Sequence, residues 1–311
     1  MNILLTGATG FVGQNFLKYL ATQNKNYHVF AISRKAENPT IKNVSWIKDS
    51  NDFDSILKIN AIDVVIHLAG KAHDTKNTTA ADEYFKVNYE MTKQLFDAFT
   101  KSNAAKFIFL STIKAVGDDK TYVNNAFDLT EPQTPYAQAK RKAEIYLQNS
   151  NLPAEKTYHI LRPCLIYGQG VKGNLATLVK FAQKGIPYPF AAFENKRSYL
   201  SVDNLSMVFC KLIENKFNSF TVNIANEDPI GTQELIEILA EKLGKKASKL
   251  MIPESVIELA AKTGDILPFF PFNSEKLKKI TESFVVDTAE MNKLLGFSLP
   301  NKTRETISSI I

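Results

Sequence analysis

The chain has 311 residues, 44% hydrophobic and 23% charged, ordinary values for a globular protein with room for a large core. Its two cysteines, Cys164 and Cys210, sit in apolar runs and are too few for a disulfide framework or a zinc site, so they read as buried, reduced thiols, which suits the cytosol. The net charge of +6 comes mostly from scattered lysines; no basic stripe marks a nucleic-acid partner, no apolar stretch is long enough to span a bilayer, and the start lacks the basic region of a signal peptide.

Short apolar runs alternate with helical periodicity along the first half. Asn2–Leu5, His28–Ile32, Val64–Leu68, Lys106–Leu110 and Thr157–Leu161 read as strands apolar on both faces. Gly13–Thr22, Asp82–Ser102 and Tyr136–Asn149 read as helices between them. This alternation predicts an α/β fold, a Rossmann-type doubly wound parallel sheet with right-handed crossovers. After Arg162–Pro163 the rhythm changes. A helix is expected at Asn174–Lys184, strands near Tyr199–Val202 and at Phe220–Ile224, and helices at Thr232–Leu243, Ser255–Lys262 and Thr288–Leu295. The expected organisation is a nucleotide-binding domain over 1–165, rejoined by about 199–225, with 166–311 mainly a smaller α/β substrate-binding domain.

The first strand runs into Gly7-Ala8-Thr9-Gly10-Phe11-Val12-Gly13. A tight strand-to-helix turn needs glycines that tolerate positive φ and let a pyrophosphate touch the backbone. The helix start adds unpaired N–H groups and a positive dipole end. A dinucleotide is therefore expected on Gly7, Thr9, Gly10, Phe11, Val12 and Gly13. The second strand ends Ile32-Ser33-Arg34-Lys35, without the carboxylate that would bind ribose hydroxyls. A 2′-phosphate would instead meet Ser33, Arg34 and Lys35, so NADP is expected, with NAD possible.

Tyr136-Ala137-Gln138-Ala139-Lys140 places a phenol and an amine one turn apart on one helix face. A tyrosine titrates near 10, so work as a base at neutrality needs a fall of about 3 units, or about 4 kcal/mol. A nearby ammonium has the right sign. After the fifth strand come Ser111, Thr112, Ile113 and Lys114, hydroxyls that could serve a substrate oxygen or cap the strand end.

The GxxGxxG spacing, His67-Leu68-Ala69-Gly70 after the fourth strand, Asn88 in VNYEMT, the STIKAVG segment and YxxxK together resemble the extended short-chain dehydrogenases/reductases of the epimerase/dehydratase branch. RPCLIYGQGVKGN (162–174) and RSYLSVDN (197–204) extend the resemblance over essentially the whole chain. It is nearest to UDP-glucose 4-epimerase-like proteins and to 4-ketoreductases that form UDP-N-acetylquinovosamine. The resemblance implies catalysis by Thr112, Tyr136 and Lys140. It implies cofactor contacts from Asp49, Leu68, Ala69, Gly70, Asn88, Ser111 and Pro163 beside those above, and from Tyr136 and Lys140. It implies a nucleotide-sugar substrate on Lys114, Asn174, Leu175 and Arg197, and a homodimer. Two departures stand out: Val116 where most members have Tyr, and no clear C-terminal arginine for the diphosphate other than Arg304. The Asp-Glu pair that dehydratases carry after the Thr is here Ile113-Lys114, which argues against water elimination. The expected activity is reduction of a UDP-4-keto-6-deoxy-N-acetylhexosamine at C4. The alternatives are a UDP-sugar 4-epimerase holding NAD tightly and a non-enzymatic dinucleotide sensor.

Overall fold

A computed structural model describes all residues except 36–39, 49–51, 73–79, 118–121, 124–129, 186, 247–249 and 268–272. Seven strands form the main sheet: β1 (Asn2–Thr6), β2 (His28–Ser33), β3 (Val44–Lys48), β4 (Val64–His67), β5 (Lys106–Leu110), β6 (Thr157–Pro163) and β7 (Phe220–Ile224). Their order is 7-6-5-4-1-2-3, and every pairing is parallel. The doubly wound sheet expected from the alternation is what forms, and Phe220–Ile224 does return to it beside β6.

Side chains alternate across the strands because successive Cβ atoms point to opposite faces. Ile3, Leu5, Val64 and Ile66 enter one core with helices α1 (Phe11–Thr22) and α7 (Val202–Glu214), where Phe16 and Phe209 meet edge-on at 5.1 Å. Leu4, Val65, Phe107 and Phe109 enter the other with α2 (Phe53–Ile59), α4 (Met91–Lys101) and α5 (Pro135–Gln148). Full burial of each such side chain is worth about 1.5–3 kcal/mol. That is why the strands carry near-continuous apolar runs.

One reading is corrected by the structure. The helix expected at Asp82–Ser102 is α3 (Ala81–Phe85), a π-helical turn at Lys86–Glu90, then α4. A single π-turn takes in an extra residue and recurs at functional sites; this one carries Asn88. Helix α7 is capped by Ser201, whose hydroxyl accepts from Asp203 and Asn204 N–H at 3.2 Å each; Asp203 itself lies in the first turn. Phe190 and Phe193 pack against a small separate cluster of Ile257, Ala261 and Leu277.

Beyond β6, a two-stranded parallel pair (Leu165–Tyr167 with Tyr199–Ser201) and helices α6 (Asn174–Lys184) and α8 (Thr232–Lys242) build a separate core around Tyr167, Leu175, Val179 and Leu239. Helices α9 (Glu254–Ile266), α10 (Ser274–Thr281) and α11 (Ala289–Leu295) follow. No helix among the described residues is long and apolar enough to cross a membrane.

His67 ends β4 inside the core. Its Nδ1 lies 2.6 Å from Thr6 Oγ1 and its Nε2 2.9 Å from Thr92 Oγ1, so both ring nitrogens are satisfied. Burial, aided by the charge of Lys140, drives its pKa down to about 3, and burial takes His159 down to about 4. Between pH 6.5 and these values the unfolded chain binds protons that the folded chain refuses, so stability is lost as pH falls through that window, at about 1.4 kcal/mol per pH unit for each histidine. In an acid unfolding series followed by far-UV ellipticity, His67→Gln is expected to give a limb shallower by about one proton.

Candidate active site

The order of strands reverses between β1 and β4, and the loops leaving their C-terminal ends form the crevice where doubly wound sheets take ligands. Gly7 leaves β1 at φ +71°, and Gly10 N–H closes the turn on the Gly7 carbonyl at 2.9 Å. A Cβ on Gly7 would stand 2.6 Å from the Ala69 nitrogen. One on Gly13 would stand 2.4 Å from the Gly7 carbonyl oxygen. Only glycines let the loop, α1 and the β4 exit come this close. Gly10 caps α1 without any side-chain hydrogen bond, and no acid lies in the first turn. The first N–H groups of α1, on Phe11 to Gly13, are thus left for an outside anion. This cradle fits the pyrophosphate of a dinucleotide. Thr9, Phe11 and Val12 are half-buried beside it.

At the end of β2, Ser33 is buried and its hydroxyl accepts from the Lys35 N–H at 3.1 Å, while Arg34 and Lys35 are exposed. Asp49 lies outside the described residues. At the β4 exit, Leu68 and Ala69 are half-buried and Gly70 is exposed. The Thr6 hydroxyl accepts from Ala69 N–H at 3.2 Å. Asn88, fully buried, receives Lys71 N–H at 2.9 Å and donates to the Lys71 carbonyl at 3.1 Å. It grips the chain just past Gly70, on the segment a nicotinamide ribose would approach.

Thr112 follows β5 and accepts from its own turn, at Lys114 N–H, 3.3 Å. Tyr136 opens α5, whose N-cap is Thr134 and whose first helical residue is Pro135, a favoured start. Burial pushes the phenol up to about 12, while a hydrogen bond with Thr112 pulls the other way. One turn on, Lys140 is 3% exposed; its Nζ donates to the Leu110 carbonyl at 2.9 Å and lies 4.6 Å from the Phe109 ring centre. Burial brings it down to about 7, and the nearby Glu144 carboxylate works against that. The edge of Tyr84 meets Tyr136 with ring centres 6.4 Å apart. Strand β5 and helix α5 therefore bring Thr112, Tyr136 and Lys140 together at the crevice.

The profile of the NAD dependent epimerase/dehydratase family matches residues 3–225. The chain belongs to this family. It is 32% identical to the UDP-glucose 4-epimerase of Vibrio cholerae over 98% of this chain and 92% of that one. It is 25% identical to the N-acetyl-alpha-D-glucosaminyl-diphospho-ditrans,octacis-undecaprenol 4-epimerase of Escherichia coli O157:H7, over 96% and 91%. The fold also matches a crystal structure of the UDP-glucuronic acid 4-epimerase of Bacillus cereus in complex with NAD, at a TM-score of 0.74 and 22% identity, covering 100% of this chain and 97% of that chain. As a member of the epimerase/dehydratase family, the chain is an NAD-dependent enzyme.

The residues expected to meet a substrate are less converged. Lys114 is exposed next to Thr112. Asn174 is the first residue of α6, whose cap Gly173 offers no side-chain bond, so backbone N–H groups are left there too. Leu175 is 3% exposed and belongs to the second core, leaving its backbone rather than its side chain to meet a ligand. Arg197 Nε donates to the Glu282 carbonyl at 2.9 Å. Arg304, the other arginine in question, is held by Glu234 through Nε at 2.5 Å and NH2 at 3.2 Å. Pro163 is buried at the end of β6. Ser111 turns its hydroxyl away from the crevice, to the buried Glu144 carboxylate, which also takes Arg162. Sequence reading missed Glu144; the signal was an acid two turns after Tyr136, on the sheet-facing side of α5.

Replacing Gly13 with Ala forces a methyl group onto a backbone carbonyl, so the melting temperature is expected to fall by an amount equivalent to about 1–3 kcal/mol. The affinity for a nicotinamide dinucleotide, measured by fluorescence titration, is expected to fall with it.

Proposed function

We propose that this enzyme transfers hydride at C4 of a nucleotide-diphosphate sugar, reducing a UDP-4-keto-6-deoxy-N-acetylhexosamine. The observation that carries the reading is the phenol of Tyr136 placed beside the Thr112 hydroxyl, with Lys140 one turn further along α5. A phenol raised to about 12 keeps its proton through the neutral range, the state a donor to a carbonyl oxygen needs. Thr112 holds that oxygen in line. As the phenol gives up its proton, the amine of Lys140 supplies positive charge next to it. The bound dinucleotide supplies the hydride, and the protein aligns the reacting atoms.

Residues 1–165 with 199–225 form the cofactor half in this reading, and the rest of 166–311 the substrate half. Two cores flanking the sheet and a separate one around Tyr167 support that division. The diphosphate falls to Arg197 and the N-terminus of α6 at Asn174 and Leu175, and a sugar oxygen to Lys114. Exposed Arg34 and Lys35 beside Ser33 favour NADP, which exchanges each turnover, over a permanently held NAD. Ile113 and Lys114 stand where elimination of water would need two carboxyl groups, so dehydration is not part of the reading.

The names of the relatives favour a second reading, a UDP-sugar 4-epimerase with tightly bound NAD. It uses the same three residues and retains the hydride between two half-reactions. Denaturing the purified protein and identifying released nucleotide separates the two. Stoichiometric NAD overturns the reductase; consumption of NADPH or NADH with 4-keto UDP-sugars supports it. Tyr136→Phe is expected to lower turnover by about 10²–10⁴-fold with dinucleotide binding kept. Unchanged turnover in that variant would point to a dinucleotide sensor instead.

A further inference from the structure

The carboxylate of Glu144 is 0% exposed and lies two turns beyond Tyr136 and one beyond Lys140, on the same face of α5. Its Oε1 accepts from the Ser111 hydroxyl at the end of β5 and from Arg162 Nε on β6 at 2.9 Å. Its Oε2 takes Arg162 NH2 at 2.6 Å. The guanidinium of Arg162 is itself 1% exposed. A buried ion pair of this kind is weak support for stability, because desolvation cancels most of the attraction and an apolar pair of equal volume often does as well. Its worth here lies in what it joins. Ser111 is bonded to Thr112 in the chain. Its N–H is tied to the Leu161 carbonyl at 2.8 Å, and the carbonyl before it, Leu110, is the acceptor of Lys140.

We propose that Glu144, clamped by Arg162, is a positioning residue for hydride transfer: its carboxylate binds the end of β5, helix α5 and strand β6 into one unit that fixes Thr112 and Lys140 against Tyr136. The proposal rests on the hydride-transfer reading of that site. Both oxygens of Glu144 are taken by Ser111 and Arg162, so its charge acts on Lys140 through space while Lys140 Nζ donates to the Leu110 carbonyl. The groups facing Lys140 are His67 from β4, held neutral, Leu110 and the Phe109 ring from β5, Asn88 beside Gly70 from the π-helical turn, and Tyr136 and Glu144 from its own helix; Arg162 of β6 stands behind Glu144. Among these, Glu144 supplies the negative charge that keeps the ammonium protonated. Its loss should let Lys140 shed the proton at lower pH.

Two variants test this, Glu144→Gln and Ser111→Ala, each read by the kcat–pH profile, the NADH dissociation constant from fluorescence and the melting temperature. In Glu144→Gln, the alkaline limb of kcat is expected to move down by about one pH unit, with KM for the sugar nucleotide changed less than kcat. In Ser111→Ala, kcat is expected to fall by about three- to tenfold with the limb unmoved, because the charge stays and only the tether is lost. A folded Glu144→Gln protein with the parent's kcat and limb overturns the proposal. Should that variant not fold, a Ser111→Ala protein with the parent's kcat and NADH affinity overturns it. Failure of the hydride-transfer reading shows separately, as a parent protein that turns over no sugar nucleotide. The positioning claim is then decided by the NADH dissociation constant, which must weaken in both variants to stand.

Discussion

A lysine placed where water barely reaches is the constraint around which this enzyme's centre is arranged. Lys140 has a backbone carbonyl, an aromatic face and little else to replace its hydration shell. Everything near it either lowers the cost of its charge or makes room. Gly70 is bare on the side facing it: a Cβ there would come within 2.8 Å of Asn88 Oδ1 and 3.3 Å of Lys140 Nζ. His67 stays neutral, first because it is buried and then because a second cation so near Lys140 is disfavoured. The threonines on both sides of that ring satisfy it without adding charge. One carboxylate lies within reach, and it is shared with an arginine, so the cluster of Lys140, Glu144 and Arg162 keeps a single net positive charge next to the phenol when all three are ionised.

How much of this could be read from the chain depends on how local the cause is. The parallel sheet was legible because strands buried on both faces carry near-continuous apolar runs, as Ile3–Leu5, Val64–Ile66 and Phe107–Leu110 do; β6 adds Ile160 and Leu161 but also buries His159 and Arg162. The glycine turn and the Tyr136–Lys140 pair were legible because their spacing is set by one turn of backbone and one turn of helix. The π-helical turn at Lys86–Glu90 was not. It presents Asn88 to Lys71, a partner distant in sequence, and the helical pattern of the segment carries no mark of it. Helix α10 was also missed; Leu277 is its one described residue in the buried class, too few to give a period.

The candidate site divides the same way. Thr112, Tyr136 and Lys140 fall together because strand β5 leads into the one and helix α5, packed against the sheet, carries the other two. Ser111 reads as part of that group from its place beside Thr112, yet the two neighbours point opposite ways, as successive residues at a strand end must. In the later half, Leu175 is expected from the resemblance to meet the substrate, but its side chain packs into the core around Tyr167, which no local spacing in the sequence signals.

The path of the chain through the sheet has a consequence for how the two halves can be handled. Strand β7 lies beyond most of the loop-rich region in sequence, yet it forms the sheet's margin against β6. The segment between them is a loop of about sixty residues with both feet planted in one sheet, and Asn15 and Lys18 of α1 stitch its beginning to the first half through Gln169. A fragment ending near residue 165 would lack its border strand and leave β6 with bare backbone donors and acceptors, an invitation to pair with other molecules. The cofactor half is therefore completed only after the first stretch of the other half has been made, and neither piece is a module that a single cut would free.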